Sequence, residues 1–137
     1  MRRKNVTKLL PLILALALPR AARAAEASAD VGLSPEAVAV GQAARLEIRF
    51  RVPEGSHISP DAPLSIRVSA PPAVKIEKPR LRYADAVSVG AAPSFADRLT
   101  PTAAGEQAIE VSMSYYVCKK DLCDRRTQRA TLKLEAR

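Results

Sequence analysis

"AIEVSMSYYVCKKDLCDRRTQRATLKLEA", residues 108–136, alternates apolar and polar side chains on both sides of a short polar segment and carries both cysteines of the chain, Cys118 and Cys123. Alternation at period two marks a strand with one buried face. If the cysteines oppose each other across a hairpin with Lys119, Lys120, Asp121 and Leu122 as its loop, opposed residue numbers sum to 241. That register pairs Ile109 with Leu132 and Val111 with Ala130 on one face, and Ser112 with Arg129, Ser114 with Thr127 and Tyr116 with Arg125 on the other. A slip of one residue would turn every side chain to the wrong face, so the pattern specifies the pairing. Opposed Cα atoms of an antiparallel pair lie about 4.5–5.5 Å apart, within or close to the span of a disulfide. Both sulfurs then fall on the polar face with Tyr116 and Arg125, within reach of a partner.

The same alternation recurs upstream. "ARLEIRFRV" (residues 44–52) sets Leu46, Ile48, Phe50 and Val52 against Arg45, Glu47, Arg49 and Arg51 and reads as a half-buried strand with a solvated charged face. "VPEGSHISPDAP" (residues 52–63) reads as a loop, because proline cannot donate to a sheet ladder. "LSIRV" (64–68) and "AVKIE" (73–77) alternate again, and "RLRYA" and "SFADRL" suggest further short strands. No window after the N-terminal segment has helical periodicity. Short strands punctuated by Pro and Gly predict an all-β fold, an immunoglobulin-like antiparallel β-sandwich.

The chain opens with "MRRKNVTKLLPLILALALPRAARAAEASA": a basic start, an apolar run from Leu9 to Leu18, then small residues around Ala22 and Ala24. This is the outline of a secretory signal peptide, residues 1–24, cleaved after Ala24. The apolar run is about half of the ~20 residues a membrane-spanning helix requires, so no stable membrane anchor is expected once it is removed. Loss of residues 1–24 leaves 16 basic and 14 acidic side chains of the chain's 22 and 14, a net charge of +2. The basic balance of the whole chain therefore belongs mostly to targeting, and nucleic-acid binding is not indicated. Residues 25–137 are one small domain's length of chain.

Export bears on the cysteines, because in an oxidising compartment two close cysteines usually pair. Three readings compete for them. A structural disulfide is the simplest, although closing six residues contributes only about 2 kcal/mol in the chain-entropy estimate, against more than 4 for a long loop. A metal site has only His57 and Met113 to join the two thiols, and no metal is expected. Thiol-disulfide exchange fits a short-spaced pair on an accessible hairpin, with Lys119 and Lys120 following Cys118 to favour its thiolate. His57, after Gly55 and Ser56, is a candidate acid or base, with a structural role in its loop as the simpler reading. Tyr115 and Tyr116 read first as packing and rim residues.

"VSMSYYVCKKDLC" resembles the cysteine segment of the periplasmic N-terminal domain of the DsbD-type thiol:disulfide interchange protein: a strand, a tyrosine, then two cysteines a few residues apart. "VPEGSHISPDAP" is similar to the family's Gly-x-His-Ile loop, and "SFADRLTPTAAGEQAIEVSMSYY" to its approach to the cysteine strand, in the same order. The resemblance covers most of residues 41–134. It implies an immunoglobulin-like domain in the periplasm whose pair, matched by Cys118 and Cys123 with Tyr116 in the same strand, relays electrons. The donor would be a membrane-embedded partner and the acceptors exported thioredoxin-like proteins, with no cofactor. The family's shielding aromatic lies in a loop matched here by "YADAVSVG" (residues 83–90), where Tyr83 is the only aromatic. The rival expectation, from another class, is a non-catalytic secreted binding or scaffold module with an inert disulfide.

Overall fold

A computed structural model describes residues 26–137; the expected signal peptide, residues 1–24, and its cleavage site lie outside the described residues. No helix among the described residues is long and apolar enough to cross a membrane. These residues run as ten strands: β1 (Ser28–Ser34), β2 (Ala37–Val38), β3 (Ala44–Arg51), β4 (Ser56–Ile58), β5 (Ser65–Ser69), β6 (Val74–Ile76), β7 (Arg80–Leu81), β8 (Ser94–Pro101), β9 (Gly105–Lys119) and β10 (Leu122–Ala136). One 3-10 turn, Tyr83–Asp85, separates β7 from β8. One sheet has the order β1-β3-β8-β6; the other has β2-β10-β9-β5-β7, with β4 also paired to β9. Every named strand pair is antiparallel except β10 with β2. The architecture is the all-β, immunoglobulin-like antiparallel sandwich that the strand pattern predicts.

The β9–β10 register is the expected one throughout, with Cys118 opposite Cys123, Tyr116 opposite Arg125 and Ile109 opposite Leu132. Its turn is tighter than expected. Lys119 and Leu122 continue the ladder, leaving Lys120 and Asp121 as the turn, with Lys120 at φ 55°. Positive φ at the first turn residue is what the two-residue hairpin turns demand to match the twist of the strands.

The proline-rich segment 52–63 is also more ordered than a loop. Gly55, at φ 79°, turns the chain so that Ser56 N–H donates to the Pro53 carbonyl at 3.0 Å. Ser56, His57 and Ile58 keep their donors and pair with Lys119, Cys118 and Val117 as β4. Pro60 and Pro63 then interrupt that edge of β9 until β5 resumes it from Ser65 to Ser69, opposite Ser114 to Glu110. "RLRYA" gives only the two residues of β7, because Asp85 accepts the Arg82 N–H at 2.8 Å and folds the chain into the 3-10 turn.

The core lies between the sheets, from Leu46, Ile48 and Phe50 of β3 and Phe95 and Leu99 of β8 to Ile66 of β5 and Ile109, Val111 and Tyr115 of β9. Phe50 meets Phe95 and Tyr115 edge to face, with ring centroids 5.9 and 4.7 Å apart. Asp97 of β8 also points inward. Its Oδ1 accepts the Lys78 and Arg98 N–H groups, and burial, the larger effect, still holds its pKa above the usual carboxylate range. Gln128 of β10 reaches across to β1, exchanging hydrogen bonds of 2.9 and 2.8 Å with the backbone of Ala29 and tying the two sheets at one margin.

The Cys118–Cys123 disulfide joins residues already opposed in this ladder, with Cα atoms 4.0 Å apart. Reduction is therefore expected to leave the domain folded. A Cys118→Ser, Cys123→Ser variant should keep its β-sheet circular dichroism at room temperature and lose about 2 kcal/mol or less in denaturant unfolding. Global unfolding would instead make the crosslink structural.

Candidate functional site

The disulfide sits in a three-strand row, His57 of β4, Cys118 of β9 and Cys123 of β10, whose directly opposed side chains share the outer face of the sheet. Cys118 is on the central strand of the row and only 3% exposed. Cys123 is exposed, and the reason is topological. The far side of β10 is paired with β2 only at Glu135 and Ala136, so at Cys123 that edge is open. The expectation that both sulfurs are accessible is thus corrected, because β4 covers the flank of Cys118.

This asymmetry has a chemical consequence. A thiolate attacks a disulfide roughly in line with the bond it breaks. The bond runs from β9 to β10, so the approach to Cys123 comes from the open edge. The corresponding approach to Cys118 comes through β4. Of the two residues of the disulfide, Cys123 is exposed and Cys118 is buried.

Tyr116 lies on the same face one row further in, half-buried, opposite Arg125. Arg125 Nε donates to Ser114 Oγ at 3.2 Å, which draws the guanidinium away from the sulfurs. Lys119 does not stand beside Cys118. Successive strand side chains alternate between faces, and Lys119 lines a groove behind the sheet with Pro53, Val117, Leu122 and Arg126. Lys120 occupies the turn. The ionisable neighbour of Cys118 in its own row is His57, which was expected in an irregular loop. The alternation of Ser56, His57 and Ile58 was its only sequence signal, hidden by the surrounding prolines.

Tyr83 belongs to the 3-10 turn and packs, half-buried, against the core. Further along the same loop Val87 and Val89 are exposed, and the loop is tied to β4 by a 2.8 Å hydrogen bond from Ile58 N–H to the Ala91 carbonyl. Leu122, next to Cys123, is 78% exposed. The described residues contain no group of three or more His, Cys, Asp or Glu placed to hold a metal ion. No protein-family model matches the chain, and no curated protein matches it.

Proposed function

We propose that the protein is an exported thiol-disulfide exchange domain that relays electrons through Cys118 and Cys123 between other exported proteins. The observation that carries this reading is the unequal burial of the two cysteine residues at the tip of a hairpin that its own ladder already holds. In the reductive direction, a partner thiolate attacks Cys123 Sγ, the S–S bond breaks, and its electron pair leaves on Cys118 Sγ. A mixed disulfide joins Cys123 to the partner. The partner's second thiolate then displaces Cys123, so the domain gains two electrons and two protons and the partner becomes the disulfide. In the oxidative direction Cys123 attacks a substrate disulfide and Cys118 resolves the mixed species. His57, opposite Cys118 in the ladder, is the ionisable side chain in register with the departing thiolate, whose burial disfavours its charge. The resemblance to the DsbD-type N-terminal domain supports a membrane-embedded donor and thioredoxin-like acceptors in the periplasm.

The reduction potential of the pair tests this. Inert secreted disulfides lie below about −300 mV, whereas exchange-active ones are more oxidising. Equilibration with glutathione or dithiothreitol buffers is expected to place this pair above that mark. A lower value would leave a binding module with an inert crosslink.

A further inference from the structure

Both sheets carry ion pairs, but they differ in which arginines are left without a carboxylate. On the β1-β3-β8-β6 sheet, Arg45 and Arg49 share Glu47, Arg51 meets Asp30 and Arg98 meets Glu77. On the disulfide-bearing sheet, Arg129 has Glu110 at 3.6 Å, Lys133 has Glu106 at 3.3 Å and Arg137 has Glu135 at 3.2 Å, but among the described residues Arg67, Arg80 and Arg125 meet no carboxylate within 4.0 Å. Arg67 and Arg80 are directly opposed across β5 and β7, and Arg67 is in line with Ser112 and Arg129 across β9 and β10. One cross-strand row thus reads Arg80, Arg67, Ser112, Arg129. Like charges placed directly opposite weaken a sheet, so this row is set against the stability of its own fold.

Arg80 stands next to Arg67 at the end of the row. Arg67, Arg125 and Arg129 border a shallow concavity of about 730 Å³ with Ser65, Ser114, Tyr116 and Thr127 along it and no acidic residue in its lining. It lies on the same face as the disulfide. Antiparallel strands rise about 3.4 Å per residue, which puts Arg125 about 7 Å and Arg129 about 20 Å from Cys123 along β10. We infer that this groove docks an extended acidic segment of the redox partner, with carboxylates about two and six residues from the cysteine that engages Cys123. The serine and threonine hydroxyls bond its backbone, and the arginines select its charge and steer the encounter. The inference rests on the exchange reading for the partner's identity, but the docking itself does not require exchange.

The test therefore uses a probe without a thiol. A peptide of about 15 residues carries serine at its centre and glutamate two and six positions to either side, with glutamine and lysine versions as comparisons, titrated into the oxidised protein by fluorescence anisotropy. The glutamate peptide is expected to bind roughly tenfold or more tightly than the glutamine peptide, to weaken severalfold between about 50 and 200 mM salt, and to be lost with lysine. Arg67→Glu with Arg80→Glu, and the gentler Arg67→Gln with Arg80→Gln, should weaken it, whereas Arg49→Glu on the opposite sheet should not. Equal binding of the glutamate and glutamine peptides, no binding, or an equal loss with Arg49→Glu overturns the docking proposal. So does binding to anionic phosphatidylglycerol vesicles without any preference among the peptides. Because no sulfur takes part, an inert disulfide and an empty groove are separate results.

Discussion

Cys118→Ser is expected to accumulate a covalent complex with an exported thioredoxin-like protein whose resolving cysteine has been removed and whose remaining cysteine is carried as a mixed disulfide with an aromatic thiol, which leaves as its thiolate when Cys123 attacks; Cys123→Ser is expected to trap little or none. The difference follows from access. In the first variant the remaining thiol belongs to the exposed residue on the open edge of β10; in the second it belongs to Cys118, a residue 3% exposed and flanked by β4. The complex persists because Cys118, the resolving thiol, is gone. With a small aromatic disulfide reagent the same pair of variants should differ in rate by roughly tenfold or more, since exchange requires an accessible thiolate. Non-reducing gels and stopped-flow absorbance read the two outcomes. The reverse order would assign the partner-facing role to Cys118. Failure of both variants to form a complex, with fast reaction of the small reagent, would mean that the partner is of another kind. The sequence favours a thiolate at Cys118 through Lys119 and Lys120, but Lys119 lines the opposite face of the sheet; what distinguishes the two cysteines in the fold is access, with Cys123 on the open edge and Cys118 buried beside β4.

The parts of the fold legible in the sequence are those fixed by strong alternation. The β9–β10 register could be derived because the apolar and polar sets separate on both strands and two cysteines mark where they meet. β3 was legible for the same reason. β1 escaped because its inward positions include Ala29 beside Val31 and Leu33, and Gly32 stands where a polar residue would sharpen the contrast. β4 escaped because three residues among prolines show no period. The site was half legible. Pairing of the cysteines and the company of Tyr116 and Arg125 followed from register alone. Unequal burial did not, because it depends on which strands flank β9 and β10 at that height, and those contacts are distant in sequence: His57 lies opposite Cys118, and β2 meets only the far end of β10. The arginine row was hidden likewise, since Arg67, Arg80 and Arg129 come from three separate segments.

Tyr115→Ala is expected to cost far more stability than loss of the disulfide. Tyr115 is 1% exposed, and its ring meets Phe50 at 4.7 Å at the base of the hairpin arm that carries the cysteines. Truncating a fully buried aromatic costs about 3–5 kcal/mol, out of the 5–15 kcal/mol typical of a small domain. Urea unfolding should show the loss directly, and the thermal midpoint should fall by roughly 10–20 °C. Tyr115→Phe keeps the packing and removes a titrating group. Burial, opposed by the weaker effect of Arg126, holds the Tyr115 hydroxyl above its ordinary pKa, so the folded state keeps this proton when the unfolded chain has released it. The unfolded state then binds fewer protons, and stability falls as the pH rises from about 10 through the folded value. Tyr115→Phe should flatten that alkaline decline, which Tyr115→Ala does not test cleanly. The comparison with the crosslink also bears on function. A disulfide can open and close in each cycle only if something else holds the arm in register, and the aromatic contact of Tyr115 is positioned to do so. A Tyr115→Ala loss below the ~2 kcal/mol assigned to the disulfide would mean that the crosslink carries the arm, and a bond with that duty is a staple.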